Sequence, residues 1–342
     1  MRYHNHAGTS WPKPLAVLAA AERAASADPG AWGGLFEEAH RAVAEAFSVS
    51  PDDLLITPGC TQALAVAVAD VPWQPGDRAI STQMEHHALA RPLAKLVGVE
   101  VAHVGRGEAG PLDLDAVERE LARGGVRLLA ASMASNVTGE LLPWEALVTL
   151  AHRYGALCLL DGAQVAGWLS LDLPALGVDL FAFAGHKGPQ GPSGVGGLYV
   201  RPGTAMDSPG YCDTGSVNLP ALCGLAAGLA WMRREQPLAR ALSCVSLLRE
   251  GLTGLAGVRL LGEPPGVPTC SLTVDGLSPQ ALTDGLRALG IVASAGRQCA
   301  PLAHGALGTA PDGALRISFG PSHAPADARA VLDALLSLLE AR

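Results

Sequence analysis

The segment Gly185-His186-Lys187 places a lysine where its amine could act as a nucleophile. It follows the apolar run 180–184 and precedes the Gly- and Pro-rich stretch 188–194, and the flanking sequence has no helical period. Lys187 is therefore either a loosely held surface charge or an amine fixed at the edge of a sheet. Amines of the second kind form Schiff bases with carbonyl compounds.

An acidic residue one element upstream favours the second interpretation. Asp161 ends the apolar run 156–160 and is followed by Gly162-Ala163-Gln164. A buried carboxylate needs a cationic partner to stay ionised. The protonated pyridine nitrogen of pyridoxal 5′-phosphate (PLP) is such a partner, and PLP is also a carbonyl compound that enzymes attach to a lysine. The two segments together predict a PLP site.

Composition favours a soluble, oligomeric enzyme. The 342 residues are 49% hydrophobic and 16% charged, which allows one large and one small domain and leaves apolar surface for a subunit interface. A net charge of -8 and a pI near 5.7 argue against nucleic acid and anionic membranes as partners. The chain shows neither a signal peptide nor a long apolar run, so we expect a cytoplasmic location. Seven cysteines without a C-x-x-C pair disfavour a metal site.

Strand-like and helix-like segments alternate along the first 200 residues. The strand-like segments are apolar on both faces, which predicts an α/β fold with a mostly parallel, seven-stranded sheet between helices. These strands are predicted at 54–57, 78–81, 99–104, 127–131, 156–160, 180–184 and 197–200. The helices that alternate with them are predicted at 36–47, 61–69, 87–97, 114–122 and 144–154.

The last third of the chain predicts a smaller α+β domain. Its strands are predicted at 258–261, 271–274, 291–294 and 315–319, and its helices at 279–289 and 326–339. Two long apolar helices, at 219–232 and 238–255, would join this domain to the large sheet. We therefore expect a large domain from residues 15–235 and a small domain from residues 1–14 and 236–342.

Three polar segments follow predicted strands, and ligands of open α/β sheets bind beyond the carboxyl ends of the strands. Thr61 comes after Gly59 at a helix start, so it could help to form an anion cradle or simply cap the helix. His86 could stack on a cofactor ring or lie on the surface; with His87 it forms no recognisable zinc pattern. Asn136 could hydrogen-bond a ring oxygen or a substrate carboxylate, or cap the next turn.

Together, these segments resemble the fold-type I, PLP-dependent proteins of the class V aminotransferase superfamily. Within that superfamily the chain is similar to the cysteine desulfurase and selenocysteine lyase branch. The motifs that carry the resemblance run over nearly the whole chain. They are Ala7-Gly8-Thr9-Ser10-Trp11-Pro12-Lys13-Pro14, Met84-Glu85-His86-His87, Ser135-Asn136-Val137-Thr138-Gly139, Asp161-Gly162-Ala163-Gln164, Gly185-His186-Lys187 and Gly296-Arg297-Gln298-Cys299-Ala300-Pro301-Leu302.

The resemblance implies a set of contacts to the cofactor ring. Lys187 would hold PLP as a Schiff base and later move protons at the substrate Cα. Asp161 would pair with the pyridinium nitrogen and keep the ring an electron sink. Gln164 would hydrogen-bond the ring hydroxyl, and His86 would stack on the ring and assist proton transfer.

The resemblance also implies that two subunits share the cofactor phosphate. In one subunit, Cys60, Thr61 and His186 would lie beside it. Ser216, in the segment 213–218, matches the position from which the family's partner subunit contacts that phosphate. We therefore expect a homodimer with shared active sites.

Two residues near the C-terminus would serve the substrate. Arg316, in an apolar strand, matches the arginine that binds the substrate α-carboxylate, with help from Asn136; the alternative is a structural ion pair. Cys299, in the loop 295–301, matches the family's nucleophile, which takes sulfur from cysteine as a persulfide. The neighbouring Arg297 would favour the thiolate form.

Four features depart from the family's pattern. Ser294 stands where relatives usually carry an arginine, and Gln298 stands where they often carry a histidine beside the nucleophile. Ala184 replaces a hydroxyl residue that commonly donates to the phosphate, so we expect PLP to be held less tightly. The interval from Lys187 to Asp213 is also shorter than in typical members. These departures leave the exact substrate and the sulfur acceptor open.

Three functions are compatible with the sequence. The first is a PLP-dependent cysteine desulfurase that converts L-cysteine to L-alanine, carries the sulfur on Cys299 and passes it to an acceptor protein. The second is a PLP-dependent C–S or C–Se lyase, or another class V aminotransferase-like enzyme, in which Cys299 is dispensable. The third is a catalytically idle PLP-fold binding protein, against which the intact Lys187, Asp161 and Arg316 count. The loop position of Cys299 favours the first.

Overall fold

Strands and helices alternate through the described part of this computed structural model, which comprises residues 1–108, 110–206 and 216–340. The strands are β1 (Arg2–Tyr3), β2 (Leu54–Thr57), β3 (Arg78–Thr82), β4 (Glu100–Val104), β5 (Val126–Ser132), β6 (Leu157–Asp161), β7 (Leu180–Ala184), β8 (Gly196–Val200), β9 (Val258–Leu261), β10 (Thr269–Val274), β11 (Ile291–Val292) and β12 (Leu315–Ser318). The helices are α1 (Leu15–Ala25), α2 (Trp32–Glu45), α3 (Cys60–Ala69), α4 (His87–Ala94), α5 (Leu114–Ala122), α6 (Trp144–Arg153), α7 (Leu173–Leu176), α8 (Leu219–Glu235), α9 (Leu238–Leu252), α10 (Pro279–Ala288), α11 (Pro301–Ala306) and α12 (Pro325–Glu340).

A large sheet has the strand order β2-β8-β7-β6-β5-β3-β4. Five neighbouring strands, from β7 to β4 in that order, run parallel, whereas β8 is antiparallel to both β7 and β2. Apolar cores cover both faces of this sheet. In β5, Leu128 and Ala130 pack into the core on one face, and Leu129 and Ala131 pack into the core on the other. The predicted α/β fold with a mostly parallel, seven-stranded sheet is confirmed.

The turn after β6 shows why this edge of the sheet needs a small residue. A Cβ on Gly162 would lie 2.2 Å from the ring of Phe181 in β7, so no larger residue fits without a shift. Asp161, the last residue of β6, pairs in register with Ser132, the last residue of β5. Because the carboxyl ends of parallel strands share one edge, polar residues that follow them are brought together there.

The C-terminal elements and the N-terminal segment build a separate core. The sheet β12-β10-β9 packs with α9, α10 and α12 around a third apolar cluster. The short β1 pairs in parallel with β11, which joins residues 2–3 to this unit. The proposed domain boundaries stay a prediction. Within the described ranges, no helix combines the length and the apolar character needed to cross a membrane.

Two histidines of the N-terminal segment pack against a third histidine, His323. The rings of His4 and His323 stack with their centroids 4.5 Å apart, and His6 meets His323 edge-on at 5.1 Å. The ring nitrogens of His4 and His6 have no hydrogen-bond partner among the described residues, although both side chains are buried. Burial, and then the neighbouring His323, lowers the pKa of each of these two rings to about 3.

We expect His4→Phe to make the fold less sensitive to acid. The ordinary pKa of His4 is 6.5 and its folded-state pKa is about 3. Between these two pH values the unfolded chain binds a proton that the folded chain does not, so the ring lowers the free energy of unfolding by about 1.4 kcal/mol per pH unit as the pH falls. In urea unfolding, the variant should gain about 2 to 3 kcal/mol over the parent at pH 4.5 and much less at pH 8.

The exposed His103 supplies the control for this measurement. His103→Asn should leave the free energy of unfolding within about 0.5 kcal/mol of the parent at both pH values, as is usual for surface substitutions. If His4→Phe loses as much stability on acidification as the parent does, the buried ring of His4 is not a source of the acid sensitivity.

Candidate active site

Ten of the eleven predicted site residues line one cleft at the carboxyl edge of the large sheet, with a volume of about 1100 Å³. They are Cys60, Thr61, His86, Asn136, Asp161, Gln164, His186, Lys187, Cys299 and Arg316. The eleventh, Ser216, is exposed and does not line this cleft. Its predicted role is toward a second subunit, and Asp213 of the same segment lies outside the described residues. The size of the cleft suits a cofactor together with a small substrate.

Asp161 and Lys187 lie at the ends of adjacent strands. The carboxylate of Asp161 is 5% exposed and accepts hydrogen bonds from Cys60 Sγ at 3.3 Å and from the Ala163 N–H at 2.9 Å. Neither donor is cationic. Burial raises the pKa of Asp161 and lowers the pKa of Lys187. The charge of each residue partly offsets the effect of burial on the pKa of the other. The pair therefore offers an acid that a cation would stabilise and an amine that readily becomes neutral.

The start of α3 offers a site for an anion. Gly59 precedes the helix and has no side chain to cap it, and among the described residues no other side chain caps the first turn of α3. Thr61 is the second residue of the helix and does not cap it, contrary to the simpler of its two sequence interpretations. His186 lines the same cleft; burial, and then Lys187, lowers its pKa to about 4.

His86 lies at the start of α4, where its Nδ1 accepts the Ala88 N–H at 3.0 Å. Burial, and then Lys187, lowers the pKa of His86 to about 4, so its ring is neutral at neutral pH. Glu85, one residue earlier, is fully buried and fixes this turn to β5. Its carboxylate accepts the Ser132 hydroxyl at 2.6 Å, the Ser132 N–H at 3.0 Å and the Thr82 hydroxyl at 2.5 Å. Burial raises the pKa of Glu85 to about 7.

The N-terminal segment closes one side of the cleft, a position that the sequence motifs did not reveal. Gln164 Nε2 donates to the Ala7 carbonyl at 3.1 Å. The Ser10 N–H and Lys13 Nζ both donate to the His186 carbonyl, at 2.9 Å and 3.0 Å. Because the N-terminal segment is held by Gln164 and by His186, the residue before Lys187, it forms part of the cleft wall.

Arg316 brings a cation into the cleft from β12. Its guanidinium donates to the Asn136 carbonyl at 2.8 Å and to Asn5 Oδ1 at 2.9 Å, and Nε has no partner among the described residues. Both acceptors are neutral, so the structure does not support the ion pair that the sequence left open. Burial lowers the pKa of Arg316 to about 10, which keeps it cationic at neutral pH. This side chain is ready for a carboxylate ligand.

Cys299 is exposed in the loop between β11 and α11, as the sequence predicts. It and the preceding Gln298 have left-handed backbones, with φ values of 57° and 43°. Each such non-glycine residue costs on the order of 1 kcal/mol, so the surroundings must hold the loop in place. The Cys299 carbonyl accepts the His87 N–H at 2.7 Å, which ties the loop to α4.

The departures from the family pattern also lie in or beside the cleft. Ala184 and Ser294 line it, and so does Ser193, a hydroxyl residue that sequence reasoning missed. Ser294 pairs with Arg316 through two backbone hydrogen bonds, at 2.7 Å and 3.1 Å. Asn5 was missed as well, because its contact with Arg316 spans 311 residues.

A comparison with known protein families identifies the family to which this chain belongs. The family model described as "Aminotransferase class-V" matches residues 17–209 and 202–331. The chain belongs to the class-V aminotransferase family. The cysteine desulfurases in this family are PLP-dependent enzymes.

Individual members of the class-V aminotransferase family confirm the resemblance to cysteine desulfurases. A probable cysteine desulfurase from Vibrio cholerae is 30% identical, over 83% of this chain and 78% of that protein. One from Mycolicibacterium paratuberculosis is 31% identical over 80% of this chain, but this chain spans only 44% of its length. The apo structure of a cysteine desulfurase from Thermococcus onnurineus has a TM-score of 0.92 at 25% identity and covers 100% of this chain and 95% of that one.

Proposed function

We propose that this protein is a PLP-dependent cysteine desulfurase, which converts L-cysteine to L-alanine and takes the sulfur as a persulfide on Cys299. The observation that carries the proposal is one shared cleft, lined by the Cys299 thiol, the Lys187 amine and the Arg316 guanidinium. The similarity to cysteine desulfurases from Vibrio cholerae and Thermococcus onnurineus supports the same activity.

The residues of the cleft fit PLP. Asp161 offers a buried carboxylate with no cationic donor among the described residues, which suits a protonated ring nitrogen. The uncapped start of α3 and the Thr61 hydroxyl suit a phosphate, and Lys187 offers the amine that would hold the cofactor. When bound, PLP supplies an electron sink that lets the bonds at the substrate Cα and Cβ break.

Arg316 and Asn136 would bind the substrate α-carboxylate. The guanidinium is already held by two neutral acceptors, so a substrate would meet a fixed cation rather than a flexible one. The Asn136 amide donates one hydrogen to the Gln298 carbonyl at 2.8 Å, which leaves a second hydrogen for the carboxylate. These contacts would orient the substrate sulfur with respect to Cys299.

Lys187 and His86 would serve the proton transfers. Burial lowers the pKa of Lys187, which increases the fraction of neutral amine that can accept a proton from the substrate Cα and return one. His86 accepts the Ala88 N–H at Nδ1, so the contact assigns the ring hydrogen to Nε2, from which it can be donated.

Cys299 would take the sulfur. Its thiolate attacks the substrate Sγ, and the new S–S bond forms as the Cβ–Sγ bond breaks. The electron pair of the broken bond stays on carbon, which takes up a proton and becomes the methyl group of alanine. The sulfur is oxidised and the carbon reduced by the same two electrons, so no external oxidant is needed. An acceptor thiol that removes the persulfide sulfur would regenerate Cys299.

Product analysis tests this proposal. PLP-loaded protein incubated with L-cysteine should form alanine, and a thiol reductant should release an equal amount of sulfide. A β-lyase would instead form pyruvate and sulfide, because it expels the sulfur without a protein nucleophile. If pyruvate is the main product, the protein is a lyase and not a desulfurase. If PLP binds but no product forms, the protein is a catalytically idle binding protein.

We also propose that the protein works as a homodimer with shared active sites. Ser216 is exposed and lies outside its own cleft, which leaves it available to a second subunit. A subunit interface of this kind is isologous, so each subunit would complete the site of the other. Sedimentation of the PLP-loaded protein should give the mass of a dimer, and a monomer at micromolar concentration with PLP still bound would rule the shared site out.

A further inference from the structure

The backbone that presents Cys299 needs support from outside the loop. Gln298 and Cys299 are consecutive non-glycine residues in the left-handed region, which is sparsely populated because the Cβ crowds the backbone. Such a conformation persists only where neighbouring contacts fix it. The residues that supply those contacts therefore decide where the thiol of Cys299 lies.

The Gln298 side chain is held at both ends of its amide. Nε2 donates to the Ala314 carbonyl at 2.9 Å, and Oε1 lies 2.9 Å from His304 Nε2. Since Oε1 can only accept, this contact assigns a hydrogen to His304 Nε2. On its other side, His304 Nδ1 lies 2.6 Å from the Thr309 hydroxyl, and the ring is fully buried. The chain Ala314–Gln298–His304–Thr309 is thus a continuous hydrogen-bonded anchor.

The backbone carbonyls of Gln298 and Cys299 are hydrogen-bonded to residues on the substrate side of the cleft. The Gln298 carbonyl accepts Asn136 Nδ2 at 2.8 Å, and the Asn136 carbonyl in turn accepts the guanidinium of Arg316 at 2.8 Å. The Cys299 carbonyl accepts the His87 N–H at 2.7 Å. Gln298 therefore connects a buried anchor behind the loop with the carboxylate-binding residues in front of it.

We propose that Gln298 is a positioning residue for sulfur transfer: its amide, anchored on His304 and the Ala314 carbonyl, fixes the left-handed backbone that holds the Cys299 thiol toward the cleft. The inference rests on the proposed role of Cys299 as nucleophile. It gives a structural role to Gln298, which stands where relatives often carry a histidine. A side chain of similar length without an amide cannot make both contacts, and a carboxylate would place a charge against the Ala314 carbonyl.

The test compares Gln298→Met, which keeps the length and removes both hydrogen bonds, with the parent PLP-loaded enzyme. The kcat for alanine formation should fall at least about tenfold, because a small displacement of a reacting group has effects of this order or larger. The KM for L-cysteine should stay within about twofold, since Arg316 and Asn136 remain. Amide hydrogen exchange in residues 296–300 should become at least about tenfold faster.

Gln280→Met is the matched control, because Gln280 is exposed on α10 and its side-chain amide donates to Asp284 on the same helix. It should leave kcat, KM and exchange in residues 296–300 unchanged. If Gln298→Met does not fold, Gln298→Glu is used, since it retains an acceptor for His304 but loses the donor to the Ala314 carbonyl and places a charge against it. The same pattern is expected, with a kcat at least about threefold below the parent.

The two measurements separate this inference from the proposed function. Hydrogen exchange needs no activity, so it reports on the anchor even if Cys299 proves dispensable for alanine formation. Faster exchange with an unchanged kcat would mean that Gln298 holds the loop without positioning the nucleophile, which overturns the inference. Unchanged exchange in both Gln298 variants would overturn it as well.

Discussion

Replacement of Lys187 by alanine should lower alanine formation from L-cysteine by at least about a thousandfold. On the proposed function, the substitution removes the amine that would hold PLP and move the proton at the substrate Cα, and positioned proton transfer alone contributes roughly 10²- to 10⁴-fold. Burial lowers the pKa of this amine, which increases the fraction of neutral base available for that proton transfer. The rate of alanine formation at saturating L-cysteine measures the effect.

The site of cofactor attachment can be read directly in the parent protein. The chain has three lysines, Lys13, Lys95 and Lys187, so a borohydride-fixed PLP adduct has few possible locations. Mass spectrometry should find the adduct on the peptide that contains Lys187 and on neither of the other two. The exposed Lys95 provides the matched control, and Lys95→Ala should retain the activity of the parent. An adduct on Lys13 or Lys95 would overturn the assignment of the site.

The large sheet was predictable because its signals are local. The strands β6 and β7 are short apolar runs buried on both faces, and both appear in the sequence without any knowledge of their neighbours. Since the carboxyl ends of parallel strands share an edge, the polar residues that follow the runs had to come together. His86, Asn136, Asp161 and Lys187 meet in the cleft for this reason.

The elements that the patterns missed carry little periodic signal. Strand β1 has two residues, and the helices α7 and α11 have four and six, too few for a helical period to be visible. The sequence of α1, LAVLAAAERAA, is rich in alanine, so its buried and exposed faces differ little in polarity. The N-terminal wall of the cleft, residues 7–13, lies outside any helix or strand, so no periodic pattern predicted where it packs.

The substrate side of the cleft could not be derived from local patterns at all. Arg316 and Cys299 come from segments after the large sheet, and only the resemblance to a family assigned them roles there. Their supports are more distant still: Asn5 contacts Arg316 across 311 residues, and Asn136 contacts Gln298 across 162. No periodicity within one element can encode such contacts, whereas a three-dimensional structure shows them at once.

The second large effect is expected from Cys299→Ser, which separates desulfuration from lyase chemistry. Serine has nearly the shape of cysteine, but its hydroxyl is hardly ionised at neutral pH and cannot take over as a sulfur nucleophile. We expect alanine formation to fall by at least about a hundredfold, the scale of removing a covalent nucleophile. The visible absorption of bound PLP, and its change on addition of L-cysteine, should match those of the parent, because Lys187, Asp161 and Arg316 are untouched.

A matched thiol variant makes the result specific. Cys223 lies on α8, is half-buried and does not line the cleft, so Cys223→Ser should form alanine at the parent rate.

Alkylation of the parent with iodoacetamide should abolish alanine formation in step with modification of the exposed Cys299, since most of the other described thiols are buried. If Cys299→Ser instead releases sulfide and pyruvate as fast as the parent, the thiol is not the nucleophile. The cleft would then work as a lyase, in which Lys187 and Arg316 suffice and the strained loop that carries Cys299 has another purpose.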